Sequence, residues 1–202
     1  MASAHAPAVQ QLAANPAVTA TTNLPEPYPA DGAASWIASV VPRHAAGLEY
    51  AFAIVALTDV ATGAQIETAP ALFVVGMCGL VMPTPAAAGD DTVPASRTGA
   101  RAEPESAAEM GYWIGKPFWG CGYATAACRA LTTFAFAHTS VTAIDAFPLQ
   151  ENAASRRVLQ KLGATLVGVV PNMYPKWPPD RLLAHYRLCR PDWGKSAAAT
   201  QP

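Results

Sequence analysis

The chain has 202 residues, of which 51 % are hydrophobic and only 13 % charged, with a formal net charge of −1. At ~150 residues per domain this length fits one domain with long loops, and the apolar content excludes a disordered chain. The near-zero charge gives no field that would draw in nucleic acid or an acidic membrane surface, and 14 Gly with 19 Pro describe a loop-rich globular protein.

Residues 4–14 are Ala-rich and helix-compatible, with no Lys or Arg ahead of an apolar run to make a secretory leader. Asn15-Pro16 stops that helix, and an irregular segment with Pro25, Pro27 and Pro29 follows. Asp31 is the expected N-cap of a second helix through Trp36, Ile37, Val40 and Val41, which Pro42 is expected to end. The runs 50–57 and 71–82 read as strands joined through Ala61-Thr62-Gly63. The second run is about a dozen residues, shorter than the ~20 needed to span a membrane. Between 83 and 106 the Pro, Ala, Gly, Asp and Thr content has no period, so a flexible insertion loop is expected there.

A strand is expected over 110–114, then a turn at Gly115-Lys116-Pro117. A helix from Tyr123 should bury Tyr123, Ala127, Leu131, Phe134 and His138 on one face. A strand over 141–147 leads to a helix capped by Asn152, with Ala154, Val158 and Leu162 inward and Gly163 as its stop. Strands over 165–170 and 182–188 follow, with the turn between them at Trp177-Pro178-Pro179-Asp180, and 194–202 reads as a disordered tail. The order is that of a single α+β domain over 1–193.

Cys78, Cys121, Cys128 and Cys189 show no CxxC spacing, which gives no zinc knuckle and no thioredoxin motif. Two disulfides are possible by count, but a chain this long does not need them. The expectation is reduced, mostly buried thiols in a cytoplasmic protein, with no metal site.

Chemistry concentrates at the strand, turn and helix of 110–138. Gly120 and Gly122 let the backbone approach a ligand closely, and the N–H groups that follow sit at the positive end of a helix, where a phosphate or pyrophosphate would be held. A tight turn that only packs strand on helix would use the same two glycines. A Walker-type loop is excluded because no Gly-Lys-Ser/Thr follows, and a dinucleotide fingerprint lacks its third glycine.

Three linked motifs, Gly111-Tyr112-Trp113, Trp119-Gly120-Cys121-Gly122-Tyr123-Ala124-Thr125, and Asn152 with Ser155 and Lys161-Leu162-Gly163, resemble the GCN5-related N-acetyltransferase (GNAT) superfamily. Within it they resemble the branch that acetylates ribosomal-protein N-termini. The likeness extends over roughly 5–193, and 109–165 carries its specific motifs.

The resemblance implies a mixed, mostly antiparallel sheet flanked by helices, with splayed central strands that hold acetyl-coenzyme A. It implies transfer of the acetyl group to a primary amine, on a protein N-terminus or a small molecule, by direct attack on the thioester. Backbone N–H groups of Cys121, Gly122, Tyr123, Ala124 and Thr125 would take the pyrophosphate, with Trp119 and Gly120 completing the loop. Tyr112, Trp113 and Ile114 would bond the pantetheine arm as a further strand, and Asn152 and Ser155 would lie by the thioester. Asn152 is equally read as a plain helix cap, and Ser155 as an ordinary first-turn residue. Ser155 is the implied acid for the departing thiolate, Glu109 the implied base, and Asp145 the runner-up. Tyr174 and His185 are further candidates for the acceptor pocket, and His138 reads as a core histidine.

Three departures from the family pattern stand out. The insertion from Pro83 to Ser106 replaces what is usually a tight hairpin; it could be a lid by the acceptor side or inert, and its bland composition favours inert. The family's first strand is not evident before the Ala-rich helix: either the coding start is truncated or the sheet has an open edge that would invite dimerisation or instability, so a monomer or homodimer is expected. Cys121 stands where the branch often carries Gln. An idle acyl-CoA-binding or interaction module of the same fold is the alternative function.

Overall fold

A computed structural model describes residues 2–56, 73–83 and 106–193. Three helices come first: α1 (Ala6–Ala13), α2 (Pro16–Thr19) and α3 (Gly32–Ala45). Asn15-Pro16 both ends α1 and starts α2: the Asn15 side chain accepts the Ala17 N–H at 3.0 Å, and Pro16 fills the first helical position, where no N–H is needed.

Pro42 does not end α3 as expected; the helix runs through it to Ala45. Ala38 and Pro42 lie on the exposed side of α3, so water can satisfy the carbonyl that loses its helical donor. The extra turn brings Arg43 to 3.2 Å from Glu49. Asp31 does precede α3, but its carboxylate accepts from the Ser35 hydroxyl at 2.8 Å rather than from the helix N–H groups.

The strands are β1 (Glu49–Val55), β2 (Val74–Val81), β3 (Ala107–Ile114), β4 (Ala143–Ala146), β5 (Thr165–Pro171) and β6 (Leu182–Cys189). They form one sheet in the order β1-β2-β3-β4-β6-β5, antiparallel throughout except for the parallel pair β3–β4. Among the described residues no strand precedes Glu49, and β1 lies at the edge of the sheet. The expected hairpin at 61–63, most of the 83–106 insertion and the 194–202 tail lie outside the described residues.

Helices α4 (Tyr123–His138) and α5 (Ala153–Lys161) cover one face of the sheet, where Leu80, Met110, Leu131, Ala135, Ile144, Leu159 and Tyr186 share a core. Helices α1 and α3 cover the other through Val9, Ala33, Val74 and Met77. The buried stripe of α4 is Cys128, Leu131, Thr132, Ala135 and Phe136, rotated from the expected one. Phe134 instead meets Tyr50 and Phe52 edge-on and an exposed His138 at a tilt. An Ala-rich helix has two stripes of similar apolarity, so periodicity alone does not choose between them.

In α5 the Asn152 cap is present, and Gly163 adopts φ +84 at the stop. Leu159 is buried where Ala154 was expected and Ala154 is exposed, while Leu162 is buried as expected.

Candidate functional site

Strands β3 and β4 pair only at Ala107–Ala143, Ala108–Ile144 and Glu109–Asp145. Beyond Glu109, β3 stays paired with β2 as far as Ile114 but has parted from β4. Met110 to Ile114 therefore present a strand edge to an open cleft, the geometry in which an extended ligand can add as a strand. The cleft has a volume of about 990 Å³ and reaches both faces of the sheet. Part of that edge is already used: the Trp119 indole donates to the Ile114 carbonyl at 2.7 Å.

On the α4/α5 side the cleft meets the turn before α4. Gly120 and Gly122 have φ +81 and +85, and a Cβ at either would meet nothing within 4 Å. Their requirement for glycine is therefore conformational rather than steric. The first hydrogen bond of α4 runs from the Ala126 N–H to the Gly122 carbonyl at 3.1 Å. The N–H groups just before it, on Gly122, Tyr123, Ala124 and Thr125, are thus left at the positive end of a 16-residue helix, facing the cleft these residues line. The Cys121 side chain is exposed.

Asn152 and Ser155 lie across the cleft from this turn. The Asn152 carboxamide accepts the Ser155 N–H at 3.0 Å and donates to the Thr21 carbonyl at 3.4 Å, so it caps α5 and ties it to the segment after α2. The Ser155 hydroxyl is 2.8 Å from the Tyr112 phenol, which also donates to the Ser155 carbonyl at 3.1 Å. Burial raises the Tyr112 pKa well above its ordinary value, so the phenol stays protonated near neutrality and remains a donor. Tyr112 was expected to act through its backbone; its side chain proves to be the partner of Ser155.

On the α1/α3 side, the pairing aligns Glu49, Val81, Glu109, Asp145 and Arg187 in one row across five strands. Glu49 is paired with Arg43. Asp145 accepts from His185 at 2.8 Å and from Arg187 through both carboxylate oxygens, each at 2.8 Å. Burial alone would raise the Asp145 pKa, but these donors hold it below the usual carboxylate value. Among the described residues Glu109 has no cation within ion-pair distance; its one hydrogen-bond partner is the Tyr174 hydroxyl, at 2.6 Å. Burial, and then the Glu109 carboxylate, push the Tyr174 phenol far above its usual range.

Of the sequence candidates, Glu109, Tyr112, Trp113, Ile114, Trp119, Gly120, Gly122, Tyr123, Ala124, Thr125, Asn152, Ser155 and Tyr174 line the cleft. Asp145 does not line it, being engaged by His185 and Arg187, and His185 is stacked on Phe147 rather than set in the acceptor space.

Sequence reading missed Glu49, Trp177 and Lys176. The Lys176 ammonium donates to the carbonyls of Thr19 (2.5 Å), Thr22 (3.1 Å) and Leu24 (2.6 Å), pairs with Glu26 at 3.4 Å and lies over Trp177. It pins the segment after α2 onto the β5–β6 loop, and both contribute residues to the cleft wall. Its acceptors are main-chain atoms about 150 positions away, and no sequence motif marks such contacts.

No group of three or more His, Cys, Asp or Glu side chains able to hold a metal occurs among the described residues, nor does a helix long and apolar enough to cross a membrane. Residues 1–165 match the family model described as an acetyltransferase (GNAT) domain. The chain is 43 % identical over 56 residues to YdaF of Bacillus subtilis, a protein provisionally named as a ribosomal N-acetyltransferase, a match covering 28 % of this chain and 31 % of that one. It is 30 % identical over 87 residues to the FsC-acetyl coenzyme A-N(2)-transacetylase of Aspergillus fumigatus, covering 42 % and 37 %. The matched stretches thus span well under half the length of either relative. Spermidine N-acetyltransferase from Vibrio cholerae, solved with CoA and spermine, superposes with a TM-score of 0.61 at 12 % identity over 91 % of this chain and 89 % of that one, a likeness of fold.

Proposed function

The chain belongs to the GNAT acetyltransferase family, and from that premise we propose that it uses acetyl-CoA to acetylate a primary amine, on a protein N-terminus or a small molecule. The observation that carries this reading is the placement of Glu109 at the point where β3 leaves β4, as the carboxylate of its row that has no cation beside it among the described residues. A protonated amine entering from the α1/α3 side meets an unneutralised charge there, and the carboxylate can take the amine proton directly or through one water.

The remaining cleft residues divide the task by face. The turn at Gly120 and Gly122 and the N-terminus of α4 offer N–H groups to the pyrophosphate. The edge of β3 from Tyr112 to Ile114, apart from the Ile114 carbonyl that the Trp119 indole already engages, bonds the pantetheine amides and brings the thioester to the splay. Glu109 takes the ammonium proton and releases it to water, and the neutral amine then attacks the thioester carbonyl carbon, so that the C–N bond forms and the C–S bond breaks. The proton lost from the new amide nitrogen passes to Glu109, while the Ser155 hydroxyl gives its proton to the departing thiolate and is reprotonated from water by way of the Tyr112 phenol. The products are the acetamide and free CoA, with no redox change. The partial likeness to YdaF supports a ribosomal-protein N-terminus as one acceptor class.

The test is incubation with acetyl-CoA and a panel of amines and N-terminal peptides, reading the free CoA thiol. Turnover on at least one acceptor is expected. Thermal stabilisation by CoA with silence across the panel would replace this reading with that of an idle acyl-CoA-binding module.

A further inference from the structure

The described strands hold four interior glycines, and they differ in what the fold requires of them. A Cβ on Gly76 would sit 2.2 Å from the Trp113 carbonyl oxygen, and one on Gly79 would sit 2.9 Å from that of Tyr50. Both are demanded by close backbone packing. Gly111 has open space around a built Cβ, with nothing within 4 Å, and its φ lies outside the left-handed region. Gly168 is also open, but it lies on the edge strand β5, away from the cleft. Glycine in a strand interior weakens the sheet, and where neither packing nor φ demands it, the room it leaves marks the close approach of a ligand.

The position of Gly111 says which ligand. It is exposed, lines the cleft and lies on β3 beyond the last pair with β4. Alternation along the strand sets it on the Glu109 face, two residues from the carboxylate and two from Trp113, opposite to the face of Tyr112 and its Ser155 partner. Its cross-strand partner is Gly79, whose own partner is Ala51, so a floor of three small residues runs beside the Glu49–Val81–Glu109 row. The Trp113 side bounds this floor together with Met77, and Glu109 bounds it with the Tyr174 hydroxyl.

We infer that Gly111 is a specificity-determining position: its missing side chain forms the bay that takes the carbon and substituent next to the acceptor amine. The acceptor class is then a cationic primary amine on an apolar-substituted carbon, its charge at Glu109 and its substituent over Gly111. This rests on the acetyltransferase reading above and adds to it which residue sizes the acceptor.

The test uses the full chain, Gly111→Ala and Gly111→Val, with glycinamide, alaninamide, valinamide and phenylalaninamide as acceptors. In the variants the acceptor KM should rise with substituent size, least for glycinamide and by roughly tenfold or more for the larger amides with Gly111→Val, since one extra carbon in a fitted pocket has that scale of effect. The acetyl-CoA KM should stay unchanged and the melting temperature should hold or rise. An acceptor profile that matches wild type, an equal loss on all four amides, a raised acetyl-CoA KM or a lowered melting temperature would each overturn the inference. Wild-type silence on every amide and peptide would instead remove the reading it rests on, and the inference with it.

Discussion

Glu109 and Asp145 are direct partners in the parallel strand pair β3–β4, yet among the described residues only Asp145 has a cationic side chain beside it. Arg187 and His185 close on Asp145 from β6, whereas Glu109 accepts one hydrogen bond from the uncharged Tyr174 hydroxyl. Two adjacent carboxylates thus receive different surroundings from their neighbours: one is held in an ion pair, and the other, under the proposed function, would meet the acceptor's cation.

Glu109→Gln is expected to lower kcat/KM for the acceptor by roughly 10²–10⁴-fold, the usual worth of a positioned base. The melting-temperature shift produced by CoA should be retained. Steady-state rates together with thermal shift on the same preparation separate these effects.

Asp145→Asn should act on stability more than on chemistry. The folded pKa of Asp145 is depressed, so its contribution is present above the unfolded carboxyl value of ~3.9 and is lost as pH falls through the lower folded value. Wild type should therefore lose stability between about pH 4 and the acid limit more steeply than Asp145→Asn, as read by denaturant melts across that range.

Ser155→Ala and Tyr112→Phe should each reduce kcat, and the double variant should be little worse than the more damaged single one. If, as proposed, the two hydroxyls 2.8 Å apart deliver one proton, they act as a unit and their losses do not add. Additive losses would show that the two hydroxyls work separately.

Gly122→Ala places a side chain at φ +85, at a cost of roughly 1–2 kcal/mol for a left-handed residue. The strain is relieved if the turn closes over the N–H groups of α4. The expected result is a smaller CoA-induced rise in melting temperature, measured beside a modest fall in the unliganded value.

Lys176→Met removes the donor that holds the Thr19, Thr22 and Leu24 carbonyls together. The wall formed by the segment after α2 and the β5–β6 loop should loosen, raising the acceptor KM while the acetyl-CoA KM stays near wild type. Comparing the two KM values in one assay checks this.

Local sequence carried the elements whose signals are local. Asn152 before an apolar period and Gly163 after it mark the ends of α5, and both serve as expected. The glycines at 120 and 122 mark the turn into α4, and both adopt left-handed backbone. Pro42 misled because the cost of proline depends on whether its helix side is wet. The face of α4 misled because alanine is nearly indifferent to burial, so the sheet beneath chose the stripe.

What the sequence by itself determined is the fold class, through short-range periodicity, caps and turns, and, through the motifs that resemble the family, many but not all of the residues that line the cleft. Which carboxylate stays free is a tertiary decision. Glu109 and Asp145 are equivalent acids on neighbouring strands, and among the described residues the arrival of β6 brings the Arg187 guanidinium, with His185 as a further donor, to only one of them. The same is true of the Tyr112–Ser155 pair, the Lys176 clasp and the open space over Gly111. They exist only once segments 43 to 157 residues apart are brought together or, at Gly111, once neighbouring strands part.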